Sequence, residues 1–129
     1  MIKTKSIHSP IAPDDGLRIL ASRFRGRGLS KDRYDVWMAN LGPSEQLLRS
    51  FLNKEITWKQ YCQGYKDEIF SSPDLDGKNK TIKNHGQKFT LRLLGELSKR
   101  QNVTILCHCA EDEAHCHRHI LDAIIKKLQ

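Results

Sequence analysis

The sequence has little that would place it in a membrane or direct it for export. It contains no run of eighteen apolar residues, and its first ten residues, MIKTKSIHSP, lack the apolar core of a signal peptide. We therefore expect a cytoplasmic protein that makes no membrane contact. In that compartment the four cysteines should be reduced, and they should serve chemistry or metal binding in preference to disulfide bonds.

Several catalytic signatures are missing as well. The Cys-x5-Arg loop of cysteine phosphatases is excluded, because Cys109 and Arg118 lie too far apart and Cys116 lies only two positions before Arg118. The His-x-Glu and Pro-Cys-x-x-Cys motifs of zinc deaminases do not occur. The glycines of RFRGRG, residues 23–28, do not have the spacing of either nucleotide-binding glycine motif. The reaction type therefore cannot be assigned from a known signature.

What the sequence does contain is a cluster of sulfur and imidazole side chains near its carboxyl end. Residues 107–119, CHCAEDEAHCHRH, hold three of the four cysteines and four of the six histidines. A thiolate is stabilised by a helix N-terminus, an imidazolium or an arginine, so Cys109 and Cys116 are candidate catalytic thiols. His117 is a candidate general acid or base. Cys107 is equally well explained as a small buried hydrophobe in a strand.

Metal binding is the alternative use of the same residues. Cys107, Cys109, Cys116 and a nearby histidine have the chemistry of four tetrahedral zinc ligands. Structural zinc sites usually have Cys-x2-4-Cys spacing, however, and Cys107 and Cys109 in an extended strand would project to opposite faces. We therefore predict no metal and no other cofactor, while a metal-binding Cys/His protein stays open as an alternative.

Positive charge is concentrated in one stretch of the chain. The net charge is +7, and residues 23–33, RFRGRGLSKDR, carry five basic residues against one acidic residue. A solvated basic face is one interpretation. The other is a phosphate or carboxylate site in which arginines act as bidentate clamps. The anion-binding residues predicted in this way are Arg23, Arg25 and Arg27, and Arg118 joins them because it lies near the N-terminus of the last helix, which attracts anions.

Hydrophobic periodicity predicts alternating strands and helices. The strands are expected at 2–7, 17–24 and 103–107. Five helices are expected: 31–41, one beginning after Ser44, one beginning after Thr57, 84–100, and one that ends near Leu128. Residues 71–80, SSPDLDGKNK, are rich in turn residues and predict an exposed loop.

This order of elements favours a single α/β domain over 1–129. We predict a small three-layer Rossmann-like fold with a short, mainly parallel sheet, in which strands 17–24 and 103–107 are neighbours and helices cover both faces. Ligands of open α/β sheets bind beyond the carboxyl ends of the strands. The loop RFRGRG follows one of these strands and the cluster at 107–119 follows the other, so both should face one pocket.

Two segments resemble a known family. They are DGLRILASRFRGRGLSKDRYDVWMANLGPSEQLLRSF at 15–51, with the W-x-x-Y-x-x-x-Y-x-x-E pattern at 58–68, and TILCHCAEDEAHCHRHIL at 104–121. Both are similar to the family catalogued as domain of unknown function 488, whose signature is a strand ending in Cys, an acidic loop and a Cys-His-Arg helix start. The resemblance covers nearly the whole chain. It implies a compact α/β domain and no established activity.

The residues together lead to one functional hypothesis with two alternatives. The hypothesis is a small enzyme acting on a phosphate-bearing substrate, a nucleotide or a nucleic acid, at a Cys/His/Arg site. The alternatives are a nucleic-acid-binding module without catalysis and a metal-binding Cys/His protein. The acidic stretch 111–113 would repel an anionic ligand, so we expect it to face solvent or to cap the helix.

Overall fold

A computed structural model describes residues 1–71, 78, 81 and 86–128. Four strands and four α-helices occur in that part of the chain. The strands are β1 (Ile2–Ser6), β2 (Leu17–Leu20), β3 (Val36–Trp37) and β4 (Val103–Cys107). The helices are α1 (Glu45–Leu52), α2 (Trp58–Phe70), α3 (Lys88–Ser98) and α4 (His117–Leu128). The α/β class predicted from the sequence is confirmed.

The sheet is parallel throughout, with strand order β1-β4-β2-β3. The central strand β4 is buried along its whole length, as expected for an apolar, β-branched run in a parallel sheet. It pairs with β2 from Leu17 opposite Val103 to Leu20 opposite Leu106. The predicted adjacency of these two strands is therefore confirmed, and their carboxyl ends lie at the same edge of the sheet.

The helices begin where the sequence supplies capping residues. The Ser44 hydroxyl accepts a hydrogen bond from the Leu47 N–H at the start of α1, and Thr57 and Gln60 form a capping box at the start of α2. All four helices contribute to one apolar cluster, which they share with Ile19 and Ile105 of the sheet. Burial of these apolar faces is the main favourable term in folding.

The opposite face of the sheet has a different cover in the described residues. A smaller apolar cluster of Ile7, Leu20 and Leu106 packs there with Leu29 and Tyr34, which lie in segments without α-helix. The third layer thus consists of loops and short 3-10 turns, whereas the sequence predicted helices on both faces.

The helix predicted at 31–41 is wrong. The structure has 3-10 turns at Lys31–Arg33 and Ala39–Leu41, separated by the edge strand β3. Val36 and Trp37 are exposed, so their spacing did not mark a buried helix face. Strand pairing with Ile19 and Leu20 decides the local conformation instead.

Two further expectations concern the remaining chain. Most of the predicted loop at 71–80, and the first residues of the helix predicted at 84–100, lie outside the described residues. Within the described part, no helix has both the length and the apolar character needed to cross a bilayer.

Candidate functional site

Three cysteines meet at the carboxyl edge of the sheet. Strand β4 ends at Cys107 and helix α4 starts at His117, so the loop between them returns Cys116 to the strand end. The Sγ atoms of Cys107 and Cys116 are 3.0 Å apart, and the sulfurs of Cys107, Cys109 and Cys116 all lie within 4.8 Å of one another. We call these three residues the cysteine cluster. All four cysteines of the chain are free.

One argument from the sequence against metal binding is therefore wrong. Cys107 and Cys109 do not project to opposite faces, because the strand ends at Cys107 and its alternation no longer applies at Cys109. The fourth cysteine, Cys62, lies in α2 and does not belong to this group.

Arg118 lies beneath the cluster and is completely buried. Its Nη1 donates a hydrogen bond to Cys107 Sγ at 2.7 Å, and its Nη2 donates to the carbonyls of Ala110 and Glu111 at 3.0 and 2.9 Å. The guanidinium thus fixes the loop that carries Cys109 and places a permanent positive charge against the Cys107 sulfur. The sequence correctly placed Arg118 near the helix start. Its predicted role as an anion clamp stays a prediction, since both terminal nitrogens already have partners within the protein.

His117 is also buried, with a defined tautomer. Its Nε2 is hydrogen-bonded to the Ala21 carbonyl at the end of β2, and a carbonyl can only accept, so Nε2 carries the proton. Nδ1 is then an acceptor, 3.8 Å from Cys116 Sγ. Burial lowers the pKa of His117 and favours the neutral ring. Tyr65 holds the ring edge-on, with centroids 5.6 Å apart.

Hydrogen bonds among the three thiols separate their pKa values. Bonds from Cys109 and then Cys116 hold the pKa of Cys107 well below its usual range, and the Arg118 guanidinium acts in the same direction. The bond that Cys109 shares with Cys107 raises the pKa of Cys109 to about 11, and the pKa of Cys116 is raised by the same kind of bond. Of the three thiols, Cys107 is therefore the one most readily deprotonated.

Two cavities reach the cluster and share Cys109 and His117 in their walls. The smaller, of about 100 Å³, is lined on another side by Arg23 and Phe24. The larger, of about 290 Å³, is lined by Cys116 and by aromatic side chains. Cys109 is only partly buried, whereas Cys107 and Cys116 are almost fully enclosed. Cys109 is therefore the sulfur that a molecule in either cavity meets first.

The three predicted loop arginines are not equivalent. Arg23 lines the smaller cavity, and its Nε and Nη2 donate to the carbonyls of Pro43 and Gly42. Arg25 instead donates to the Tyr34 hydroxyl and the Leu29 carbonyl. Arg27 is exposed and does not line either cavity. The structure brings Arg23 to the cluster and leaves the other two away from it.

The acidic stretch is exposed, but Glu113 also lines the larger cavity, so the expectation that it faces solvent is met only in part. Glu111, Asp112 and Glu113 are exposed. Glu111 accepts hydrogen bonds from the Ser9 hydroxyl and the Ser6 N–H, so it ties the cluster loop to the end of β1.

Sequence reasoning left the role of one contributor to the site open and missed another. Cys107 was equally well explained as a buried hydrophobe, yet it accepts the Arg118 hydrogen bond. Its position two residues before Cys109, at a strand end, is the signal that was present. The Ala21 carbonyl orients His117, and no sequence pattern identifies a backbone acceptor of this kind.

The fold and the site define a class: a small α/β protein with a buried cysteine centre at the carboxyl edge of a parallel sheet. The family model DUF488-N3a, described as the active DUF488-N3 subclade, matches residues 2–129, and the chain belongs to this family. The resemblance inferred from the sequence is confirmed.

Three mycobacterial proteins that are similar in sequence are themselves named as uncharacterized. The chain is 26% identical over 76 residues to the uncharacterized proteins Rv3073c and MT3158 of Mycobacterium tuberculosis and Mb3100c of Mycobacterium bovis. The match covers 57% of this chain and 64% of each relative. No solved structure matches the chain.

Proposed function

We propose that the protein is a small enzyme that acts on a phosphate-bearing substrate, a nucleotide or a nucleic acid, at the cysteine cluster. The observation that carries the proposal is that Arg23, Cys109 and His117 line one cavity. An anion-binding group and the candidate catalytic groups therefore face the same space.

Arg23 is the substrate-binding residue in this proposal. Its bonds to two backbone carbonyls orient the guanidinium, while its side chain stays exposed. A guanidinium has five N–H donors, so two bonds leave others for a phosphate oxygen. The charge of +7 favours the approach of an acidic ligand.

The reacting groups are Cys109, Cys116 and His117. Cys109 opens onto both cavities, and Cys116 and His117 line the larger one. His117 presents an acceptor nitrogen to the cluster because the Ala21 carbonyl holds its proton on Nε2. Arg118 acts through Cys107 and the cluster loop, so it is a positioning residue.

The rival is a nucleic-acid-binding module without catalysis. The exposed basic residues Arg23, Arg27 and Lys31 support it, because a loop of this kind neutralises phosphates without a defined pocket. Affinity would then fall steeply and linearly with the logarithm of salt concentration, and each arginine would contribute about equally.

The experiment compares Arg23→Ala with Arg27→Ala, two exposed arginines of one loop with the same charge loss. Binding of nucleoside phosphates and short oligonucleotides is measured by calorimetry at several salt concentrations, and turnover is followed by chromatography. We expect Arg23→Ala to weaken binding by about 1.5–3 kcal/mol, the range for a hydrogen bond to a charged group, and Arg27→Ala to weaken it far less. Equal losses with a steep salt slope and no turnover would establish the binding module instead.

A further inference from the structure

The cysteine cluster has the composition and geometry of a metal centre. We propose that Cys107, Cys109 and Cys116 bind one thiophilic cation of the Zn²⁺ class through their three sulfurs, with a fourth coordination position facing the cavities. This proposal replaces the expectation from sequence spacing that the site holds no metal.

The distances fit a tetrahedral ion. Zn–S bonds of about 2.3 Å place the sulfurs of a tetrahedral site roughly 3.8 Å apart. The three sulfurs lie within 4.8 Å of one another, and those of Cys107 and Cys116 are 3.0 Å apart. The sulfur–sulfur distances therefore differ by about 1 Å or less from those of a tetrahedral site, and small side-chain rotations can make up this difference.

The surroundings balance the charge that such a centre carries. Three thiolates have three negative charges, and the divalent ion together with the Arg118 guanidinium supplies three positive charges. Arg118 is fully buried and donates to Cys107 Sγ at 2.7 Å, so its charge stays beside the sulfurs. An uncompensated charge in this buried place would cost several kcal/mol, and the neutral sum removes that cost.

The ligand chemistry selects the class of ion. Thiolate sulfur prefers Zn²⁺, Cu(I) and similar soft ions, whereas Mg²⁺ and Ca²⁺ require oxygen ligands. No carboxylate belongs to the group of mutually close ligand atoms found in the described residues. A hard cation is therefore excluded at the cluster.

The fourth position is open in this arrangement. His117 Nδ1 lies 3.8 Å from Cys116 Sγ but outside the group of ligand atoms that are all within 4.8 Å of one another in the described part of the chain, so the three sulfurs leave a fourth coordination position for water or a bound molecule. Cys109 lines both cavities, which gives that position access from the side of Arg23. Three protein ligands with one open position are typical of catalytic zinc. The role of the ion in acting on substrate rests on the proposed function, but its binding does not.

The test uses the full chain without a histidine tag, purified in reducing buffer. Metal content is measured by elemental analysis and native mass spectrometry, with the four thiols counted after denaturation. The metal-free protein is then titrated with Co²⁺, whose thiolate charge-transfer absorption reports sulfur ligands, and with Zn²⁺ in competition. Cys109→Ser is the test variant, and Cys62→Ser is the matched control because Cys62 lies outside the cluster.

We expect one ion per chain, a strong charge-transfer band, and affinity at least about 10-fold weaker in Cys109→Ser but unchanged in Cys62→Ser. Circular dichroism confirms that both variants are folded. The proposal is overturned if fully reduced protein binds no stoichiometric ion, if the band is absent, or if both variants lose affinity alike. Arg23→Ala should retain the ion and lose nucleotide binding, so unchanged nucleotide binding in Arg23→Ala with the ion in place contradicts only the proposed function. Nucleotide binding by a protein that takes no metal contradicts only this inference.

Discussion

Two arginines are buried in the described residues, and they donate to different partners, Arg18 to a carboxylate and Arg118 to a cysteine sulfur. Arg18 donates to the Asp15 carboxylate and to the Arg33 carbonyl, and Lys3 and Lys5 pair with the same carboxylate. Arg118 donates to the Cys107 sulfur, whose neighbour Cys109 opens onto two cavities. The carboxylate network is enclosed by its own cations, whereas the sulfur cluster has a side that a ligand can reach. A buried charge alone therefore does not identify a functional site, and access to it does.

Removing each arginine gives the largest expected effects. Arg118→Met should lower the free energy of unfolding by about 3–5 kcal/mol, because it strips Cys107 of its cation and leaves two backbone carbonyls unpaired. Arg18→Met should cost less, about 2–3 kcal/mol, because Lys3 and Lys5 still pair with Asp15. Urea unfolding in reducing buffer with a chelator measures both. A larger loss of unfolding free energy for Arg18→Met than for Arg118→Met would contradict this prediction.

Two glycines test how rigidly each region is held. Gly16 has φ +65°, and a Cβ there would lie 2.0 Å from the Asn102 carbonyl oxygen, which belongs to the backbone and cannot move aside. Gly26 has φ +94°, and the atoms nearest to an added Cβ would belong to the side-chain ring of His108, at 2.8 Å. We expect Gly16→Ala to cost about 3 kcal/mol and Gly26→Ala about 1–2 kcal/mol.

The control for this pair is Gly28→Ala. Gly28 has φ +73°, and apart from its chain neighbours no heavy atom lies within 4 Å of the Cβ that alanine would add. It should show the backbone cost alone, about 1 kcal/mol. Thermal unfolding of the three variants ranks their losses of stability. An equal loss at all three positions would show that the contacts of the added Cβ do not contribute.

Acid should weaken the carboxylate network. Burial alone raises the pKa of Asp15, but bonds from the Ala12 N–H, Lys5 and Arg18 lower it from 3.8 to about 2. Because the folded pKa lies below the unfolded value, the stability from Asp15 is complete above about pH 4 and is lost as pH falls towards 2. The loss should be about 2 kcal/mol, since one pKa unit corresponds to ~1.4 kcal/mol.

Urea midpoints between about pH 6 and pH 2 test this loss against Asp15→Asn. The variant starts from a lower stability and should show a shallower decline over the same range. Parallel curves for the two proteins would show that other carboxylates cause the acid effect.

The smallest effect is expected from the loss of a single hydrogen bond beside the Asp15 carboxylate network. The Thr104 hydroxyl in β4 is buried and donates to the Asp15 carbonyl at 2.7 Å. Thr104→Val keeps the shape and removes the bond, at a cost of about 1 kcal/mol. Thr4→Val in the neighbouring strand, a half-buried threonine, is the matched control and should be nearly neutral. Denaturant unfolding is precise enough to separate the two.

The sequence predicted the part of this architecture that local pattern determines. The apolar run at 103–107 and the capping residues Ser44 and Thr57 led to correct elements, because burial and hydrogen bonding at those positions are local. The strand at 36–37 was missed because its conformation depends on pairing with β2, which no local spacing reveals.

The site was predictable in its residues and less so in its roles. Cys109, Cys116 and His117 were identified from composition, and the structure brings them to common cavity walls. The direction of the Arg118 side chain could not be inferred, because the same residue type at a helix start can point to solvent or fold under the preceding loop. Here the buried sulfur and the carbonyls of Ala110 and Glu111 draw it inward.

The strand order also constrains how the chain can be made. β4 lies between β1 and β2, so Ile2 and Leu17 both pair with Val103. While a ribosome is still adding the helices, β2 can pair with β3, but the edges of β1 and β2 that face β4 stay open to other chains. Completion of the four-stranded sheet must wait until residues 103–107 leave the ribosome exit tunnel, so one late segment completes both the core and the cysteine cluster.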